Sequence, residues 1–417
     1  MNYKKTIKDN ITYHLINTSR FNQITVSLYF TKDFERVDLS YAKLLTSTMV
    51  YSTKKYNTKS LIAQHGEDLY GAKVSAGYNI YGRLSTYSFT IDFINPIYTE
   101  EKYLDLSLDF LESVIIHPNT TNNHFNDEHF NIVKKDTVKS IESVKDNPNL
   151  FASIRYANNM YKGTPSEYGN LPNLDDVKKI SSSDLYKYYL KLLNGEYKVD
   201  VVILGNVNDS IIDNIHSRFK IIKSNNKKLD IFNKINYNFK ENEIVETLKF
   251  NQSKLMIGYR LINMNAHEIN HVLRVYNTIL GTMNDSILFN IVREANSLCY
   301  SIGSYTSRYN PSLTIYAGIN KDNYDKTLKL IKECVESMSN KKKVERLFDS
   351  AKKTINTFLN NYYDDSVMQM NDYYLNEFDP QEDIETIREK INKVTIEEVI
   401  NLNKKIKLST VYMLRGE

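Results

Sequence analysis

Apolar positions along the chain follow two periods, and the switches between them mark out the elements. In residues 286–300, SILFNIVREANSLCY, helical spacing relates Ile287, Leu288, Ile291, Ala295 and Leu298. Beyond that the period drops to two: Tyr300 and Ile302, then, past Asn310-Pro311, Leu313, Ile315, Ala317 and Ile319. This predicts a helix, a strand, a turn and an antiparallel strand. Earlier in the chain the same reasoning gives a strand at 23–30, helices at 39–51 and 60–69, strands at 72–81 and 84–94, and a helix at 103–116 stopped by His117-Pro118. A long helical region follows at 126–160, broken near Asp146-Asn147-Pro148, then a helix at 183–193 and a strand at 199–204.

The order then recurs. After a strand at 254–261 and a helix at 267–280 come the helix and two strands already described. A helix at 324–338, a long helical region at 344–378, a helix at 395–406 and a strand at 410–414 complete the chain. Ile94-Asn95 corresponds to Ile319-Asn320, Glu112-Ser113 to Glu336-Ser337, and Val201 to Val411, at offsets of 225, 224 and 210 residues. One α+β domain used twice accounts for this, each copy an antiparallel-rich sheet with helices mainly on one face. The expected division is 1–222, a Lys- and Asn-rich connector at 223–243, and 244–417.

At 417 residues the chain exceeds one ordinary core, and 41% hydrophobic with 25% charged residues describes a globular protein. A net charge of +4 without a basic patch gives no support for nucleic-acid or membrane binding. The first residues lack the apolar stretch of a signal peptide, and no later stretch has the length to span a bilayer, so a cytoplasmic location is expected. Cys299 and Cys334 form neither a disulfide framework nor a zinc-knuckle spacing. Phosphate-binding glycine loops and the serine nucleophile elbow are missing from the sequence, so nucleotide chemistry and serine hydrolysis have no support.

Two constellations carry chemistry. Arg293 stands near a helix end and Tyr300 at a strand start, a pairing able to hold a peptide carbonyl or an oxyanion by charge-assisted hydrogen bonds. Spacing alone equally describes a solvated Arg-Glu pair and a half-buried strand tyrosine. The second is His267-Glu268-Ile269-Asn270-His271, a literal H-E-x-x-H with the two imidazoles one helical turn apart. It opens its helix just after Asn263 and Asn265, where a frayed end suits a ligand pair poorly, and its one tempting third ligand is Glu294.

The duplicated architecture, together with L-F-x-x-V-R-E-x-x-S-L-x-Y at 288–300 and S-x-G-S at 301–304, resembles the insulinase/pitrilysin metallopeptidases. It is most similar to the short two-domain type, that of the mitochondrial processing peptidase and its bacterial relatives, which pairs with a second chain. Ser52-Thr53-Lys54-Lys55-Tyr56-Asn57-Thr58 is similar to the family's G-T-x-x-Y-x-T, and Leu69-Tyr70-Gly71-Ala72 and Phe93-Ile94-Asn95-Pro96 match bacterial members. The resemblance implies an H-x-x-E-H helix just before that segment, with two zinc-binding His and a Glu that activates water. Counted back from Thr53, those positions hold Lys43, Thr46 and Ser47, and the third ligand, a Glu on the later long helix, falls on Val133. None is competent for zinc. The resemblance assigns Arg293 and Tyr300 to the substrate, held at the zinc of a partner. It therefore implies a non-catalytic, zinc-free subunit that binds peptide and closes one side of a catalytic partner's chamber, the zinc being the partner's. A free-standing zincin using His267, Glu268 and His271, and a homodimeric peptide-binding scaffold, are the alternatives.

Overall fold

The computed structural model describes residues 2–100, 102–233 and 239–417. They form two compact units: Met1–Ser143 with Asn170–Ile231 and Asp364–Pro380, and Val144–Gly169 with Phe232–Tyr363 and Gln381–Glu417. Each unit thus includes one segment from the other half of the sequence. Residues 234–238 of the expected connector lie outside the described residues.

The first unit is built on strands β1 (Asn2–Lys8), β2 (Ile11–Asn17), β3 (Gln23–Asp33), β4 (Lys73–Tyr81), β5 (Leu84–Ile94) and β6 (Lys198–Gly205). Their order across the sheet is β1-β2-β6-β3-β5-β4, antiparallel except where β2 meets β6. The second unit has β7 (Asn242–Leu248), β8 (Ser253–Leu261), β9 (Cys299–Ser307), β10 (Ser312–Ile319) and β11 (Ile406–Gly416), in the order β7-β11-β8-β10-β9 with β7 and β11 parallel. The second sheet therefore repeats the first without its outermost strand, which is the topological form of the repeat seen in the sequence.

Helices cover mainly one face of each sheet. In the first unit α1 (Asp38–Met49), α2 (Lys59–Asp68), α3 (Tyr103–Ile115), α4 (Asp127–Glu142) and α6 (Ser182–Leu193) bury Leu28, Phe30, Phe89, Ile91, Val201 and Ile203. The opposite face of β2 and β6, with Ile16, Val202 and Leu204, is closed by Met370 and Tyr374 of α9 (Ser366–Leu375). In the second unit α7 (Tyr324–Ser337), α8 (Lys341–Asn361) and α10 (Ile384–Lys393) pack on the main face, while α5 (Pro148–Met160) covers the other through Tyr156 and Met160 against Met256 and Tyr412. The continuous apolar stretch of β6 follows from this: a strand covered on both faces has no polar side.

Sequence periodicity missed β1, β2, β7 and the helices Leu174–Lys179, Ser210–Phe219 and α10, and it extended the long helix at 344–378 through the break at Tyr362–Asp364. The stretch expected as a plain helix at 267–280 contains π-helical turns at Glu268–Val272 and Thr278–Thr282. Among the described residues no helix is long and apolar enough to cross a membrane.

An ion network centred on the buried His14 and Asp200 lies where β2, β6 and the 364–380 segment meet. The Lys198 ammonium donates to Asp200 at 2.6 and 2.8 Å and lies 3.6 Å from Glu377, which Lys5 reaches at 2.6 Å. Nε2 of His14 lies 3.3 Å from Asp200, and Nδ1 of His14 bonds the Tyr3 hydroxyl at 2.8 Å. His14, Asp200 and Glu377 offer ligand atoms close enough for a cation, but two lysines already balance the two carboxylates, so this is an ion-pair network. Burial alone would raise the Asp200 carboxyl, yet the His14 bond and the Lys198 charge outweigh it and hold it below the usual range. A depressed carboxyl stabilises the fold above its unfolded pKa of about 3.9, and that contribution is lost as pH falls through the lower folded value. Wild type is therefore expected to lose more unfolding free energy than Asp200→Asn between pH 5 and pH 3, by urea titration; equal losses would show that Asp200 is not coupled to acid stability.

Candidate functional site

Arg293 sits in a π-helical turn, Phe289–Ala295, whose end is stopped by Ser297 in the left-handed region (φ 50°). The Ser297 amide donates to the Arg293 carbonyl at 3.0 Å and the Leu298 amide to that of Val292 at 3.1 Å, a C-terminal stop widened by one residue. The chain then enters the edge strand β9, where the β9–β10 register slips between Cys299 and Ser301. Tyr300 is the bulged residue and is 68% exposed, because a bulge frees its side chain from the sheet's alternation. The Arg293 guanidinium lies 4.7 Å above the Phe289 ring, with Nε 3.6 Å from Glu294. No hydrogen bond joins Arg293 to Tyr300, and among the described residues the Tyr300 hydroxyl has no partner. Two polar ends thus stand in solvent on a well-braced backbone junction. Cys299 between them is no nucleophile: burial pushes its thiol up to about 11, against a smaller opposing effect of Arg293.

In the first unit, α1 packs against α4, and Lys43, Ser47 and Val133 converge on one hollow of about 380 Å³. Lys43 and Ser47, four residues apart, share a face of α1, and Val133 comes from α4. Thr46 is buried beside them and donates to the Ala42 carbonyl at 2.8 Å. The hollow is also lined by Lys59, Asp136, Thr137 and Ser140, which sequence reasoning missed because none belongs to a motif. Zinc does not fit this set. One ammonium repels it, a second stands nearby, an isopropyl group offers no lone pair, and the single carboxylate is Asp136. Beyond the hollow, Ser52 is buried and bonded to Nδ1 of His129 at 2.8 Å and to Asn119 at 3.2 Å, which makes it a structural hydroxyl.

The convergence of these side chains yields a gain-of-function test. Lys43→His, Ser47→His and Val133→Glu together place two imidazoles on one helix face opposite a carboxylate. The triple variant is expected to retain about one zinc per chain through gel filtration, by atomic emission. A variant that folds but retains none would show that α1 and α4 do not stand at ligand spacing.

The H-E-x-x-H segment is arranged differently. Nε2 of His267 lies 2.9 Å from Glu398, and Nε2 of the buried His271 lies 3.2 Å from Glu382, so each imidazole faces its own carboxylate. The ring centroids are 5.4 Å apart. Glu268, the base of a zincin, accepts the Lys405 ammonium at 2.7 Å on both oxygens and the Asn265 amide at 2.8 Å. Burial opposes its ionisation, but these bonds outweigh it and keep its pKa low. That geometry caps a helix start; it does not aim a base at water.

The fold is two α+β units built on related sheets, and the hollow between α1 and α4 holds no set of residues able to ligate zinc. Comparisons with known proteins find relatives of the same fold. The family described as Peptidase M16 inactive domain matches residues 179–355. The probable inactive metalloprotease YmfF of Bacillus subtilis is 23% identical over all of this chain and 98% of its own length. An uncharacterized zinc protease of the same organism, YmxG, is 24% identical over 57% of this chain and 56% of its own. Among solved structures, a conserved protein from Enterococcus faecalis superposes with a TM-score of 0.91 at 24% identity, covering 100% of this chain and 99% of that one. A peptidase M16 inactive domain from Pseudomonas fluorescens does so at 0.80 and 16%, with the same coverage. Residues 179–355 thus match the M16 peptidase family, and the chain as a whole is similar to M16 proteins, the same family that the sequence resembles.

Proposed function

We propose that this chain is the zinc-free subunit of a two-chain, cytoplasmic peptidase. It binds the peptide backbone through Arg293 and Tyr300 and completes the site of a partner that carries H-x-x-E-H. The observation that supports this most is the contrast between the two sites. The hollow between α1 and α4 has no set of metal ligands, while Arg293 and Tyr300 stand exposed on a braced turn and a bulge. A guanidinium and a phenol so held supply charge-assisted and neutral hydrogen bonds to a carbonyl that gains negative charge as water attacks it. In Bacillus subtilis one relative is described as a probable inactive metalloprotease and another as a zinc protease, which supports a pairing of two such chains.

The test is co-expression with an H-x-x-E-H relative, followed by size exclusion and a peptide-cleavage assay across the fractions. Co-elution, with cleavage concentrated in the joint peak, is the expected result. Separate elution, with full activity in the partner alone, would contradict the proposal.

A further inference from the structure

The geometry points to a phosphate-binding site in the second unit, centred on Arg260 and independent of Arg293 and Tyr300. Arg260 is the penultimate residue of β8 and lies on the face covered by α5. Its Nη2 donates to the Met160 carbonyl at the end of α5, and its guanidinium carbon lies 6.0 Å from the centre of the Tyr161 ring. Its Nε is buried without a hydrogen-bond partner. Among the described residues no carboxylate pairs with it, and burial pushes the guanidinium below its ordinary pKa with only Tyr161 and Tyr156 opposing. A half-buried guanidinium with one orphaned donor and no counter-charge is stabilised when an anion arrives beside it.

The space in front of it is built for an anion. Arg260 lines a cavity of about 370 Å³ together with Lys162, Lys240 and a set of neutral amides and hydroxyls, Asn159, Thr164 and Thr410 among them. No acid lines it. The nearest acid on the adjoining turn, Glu167, accepts the Gly163 amide at 2.7 Å, and Glu241, next to Lys240, is not in the lining. The sequence between Asn233 and Phe239, Lys-Ile-Asn-Tyr-Asn, contains no acid either, so the missing counter-charge does not come from there. Three cations around one small polar cavity favour a multiply charged oxyanion over a carboxylate, which would neutralise only one of them. The guanidinium of Arg260 supplies a fixed positive charge at the cavity wall, and the two lysines add point charges on flexible stems. The cavity accommodates inorganic phosphate, pyrophosphate or the phosphate end of a small molecule.

Calorimetric titration of the full chain with inorganic phosphate, pyrophosphate and adenosine monophosphate tests this, with acetate and chloride at matched ionic strength as controls. At least one phosphate compound is expected to bind saturably while acetate does not. The tightest of the three distinguishes a free anion from the phosphate end of a larger molecule. Arg260→Gln should weaken binding by roughly tenfold or more. The paired change Lys162→Gln with Lys240→Gln, which leaves Arg260 in place, should weaken it several-fold, and exposed Lys326→Gln should leave it unchanged. If Arg260→Gln does not fold, the lysine pair decides. Absence of saturable binding, equal heats with acetate, or binding unaltered by the lysine pair would each overturn the proposal.

Discussion

Replacing both Arg293 and Tyr300 by Ala is expected to lower kcat/KM of the two-chain enzyme by about 100-fold or more while the chains still co-elute. Loss of one donor to a developing oxyanion costs on the order of 100- to 1,000-fold in comparable sites, and here two donors go together. Both side chains are largely exposed, and the turn and bulge that carry them are held by backbone hydrogen bonds, so folding should be nearly unaffected. The single variants separate the roles. If the guanidinium acts chiefly on the transition state, Arg293→Ala falls mainly in kcat; if it only docks the peptide, KM rises instead. Unchanged turnover of the double variant removes these two residues from the reaction.

The largest stability effect is expected at Lys32. Asp38 opens α1, the helix that carries Lys43 and Ser47, and is fully buried. It receives the Tyr188 hydroxyl at 2.5 Å and the Glu35 amide at 3.0 Å, and its charge is matched by Lys32, itself 8% exposed, at 3.0 Å. Lys32→Met removes the cation and leaves a buried carboxylate, at a cost of about 3–5 kcal/mol. Adding Asp38→Asn should recover part of it, the signature of a coupled pair in a double-mutant cycle by denaturant unfolding. A loss below about 1 kcal/mol for Lys32→Met would mean that the hydroxyls and amide carry Asp38 without the lysine.

Particular elements show what the sequence revealed and what it hid. Strand β5 alternates, with Tyr87, Phe89, Ile91 and Phe93 all inward, and its period was plain. The strand β2, ITYHLIN, is buried on both faces for most of its length and so has no alternation to read. The edge strand β7 is largely solvated and was absorbed into a polar connector. Over five residues a π-turn cannot be told from an α-turn by period, so the setting of Arg293 came only from the fold. The break before α9 was hidden because 344–378 stays apolar at helical spacing, and which sheet α9 covers is a long-range matter that no local pattern encodes. One signal was available: the uninterrupted VVIL of β6 implies cover on both faces. The positions matched to the family's zinc ligands came from resemblance alone, and Lys43, Ser47 and Val133 line one hollow in the fold. Arg260 gave no sequence signal, since a lone strand arginine has no motif.

The central claim is that the chemistry belongs to the partner and that this chain only completes its site. The most direct test is peptide cleavage by the two-chain complex in which the glutamate of the partner's H-x-x-E-H is changed to glutamine while this chain is left intact. The account predicts that turnover disappears, although the complex still assembles and binds peptide. Cleavage that persists in that complex would mean that this chain cuts peptides itself and would contradict the account.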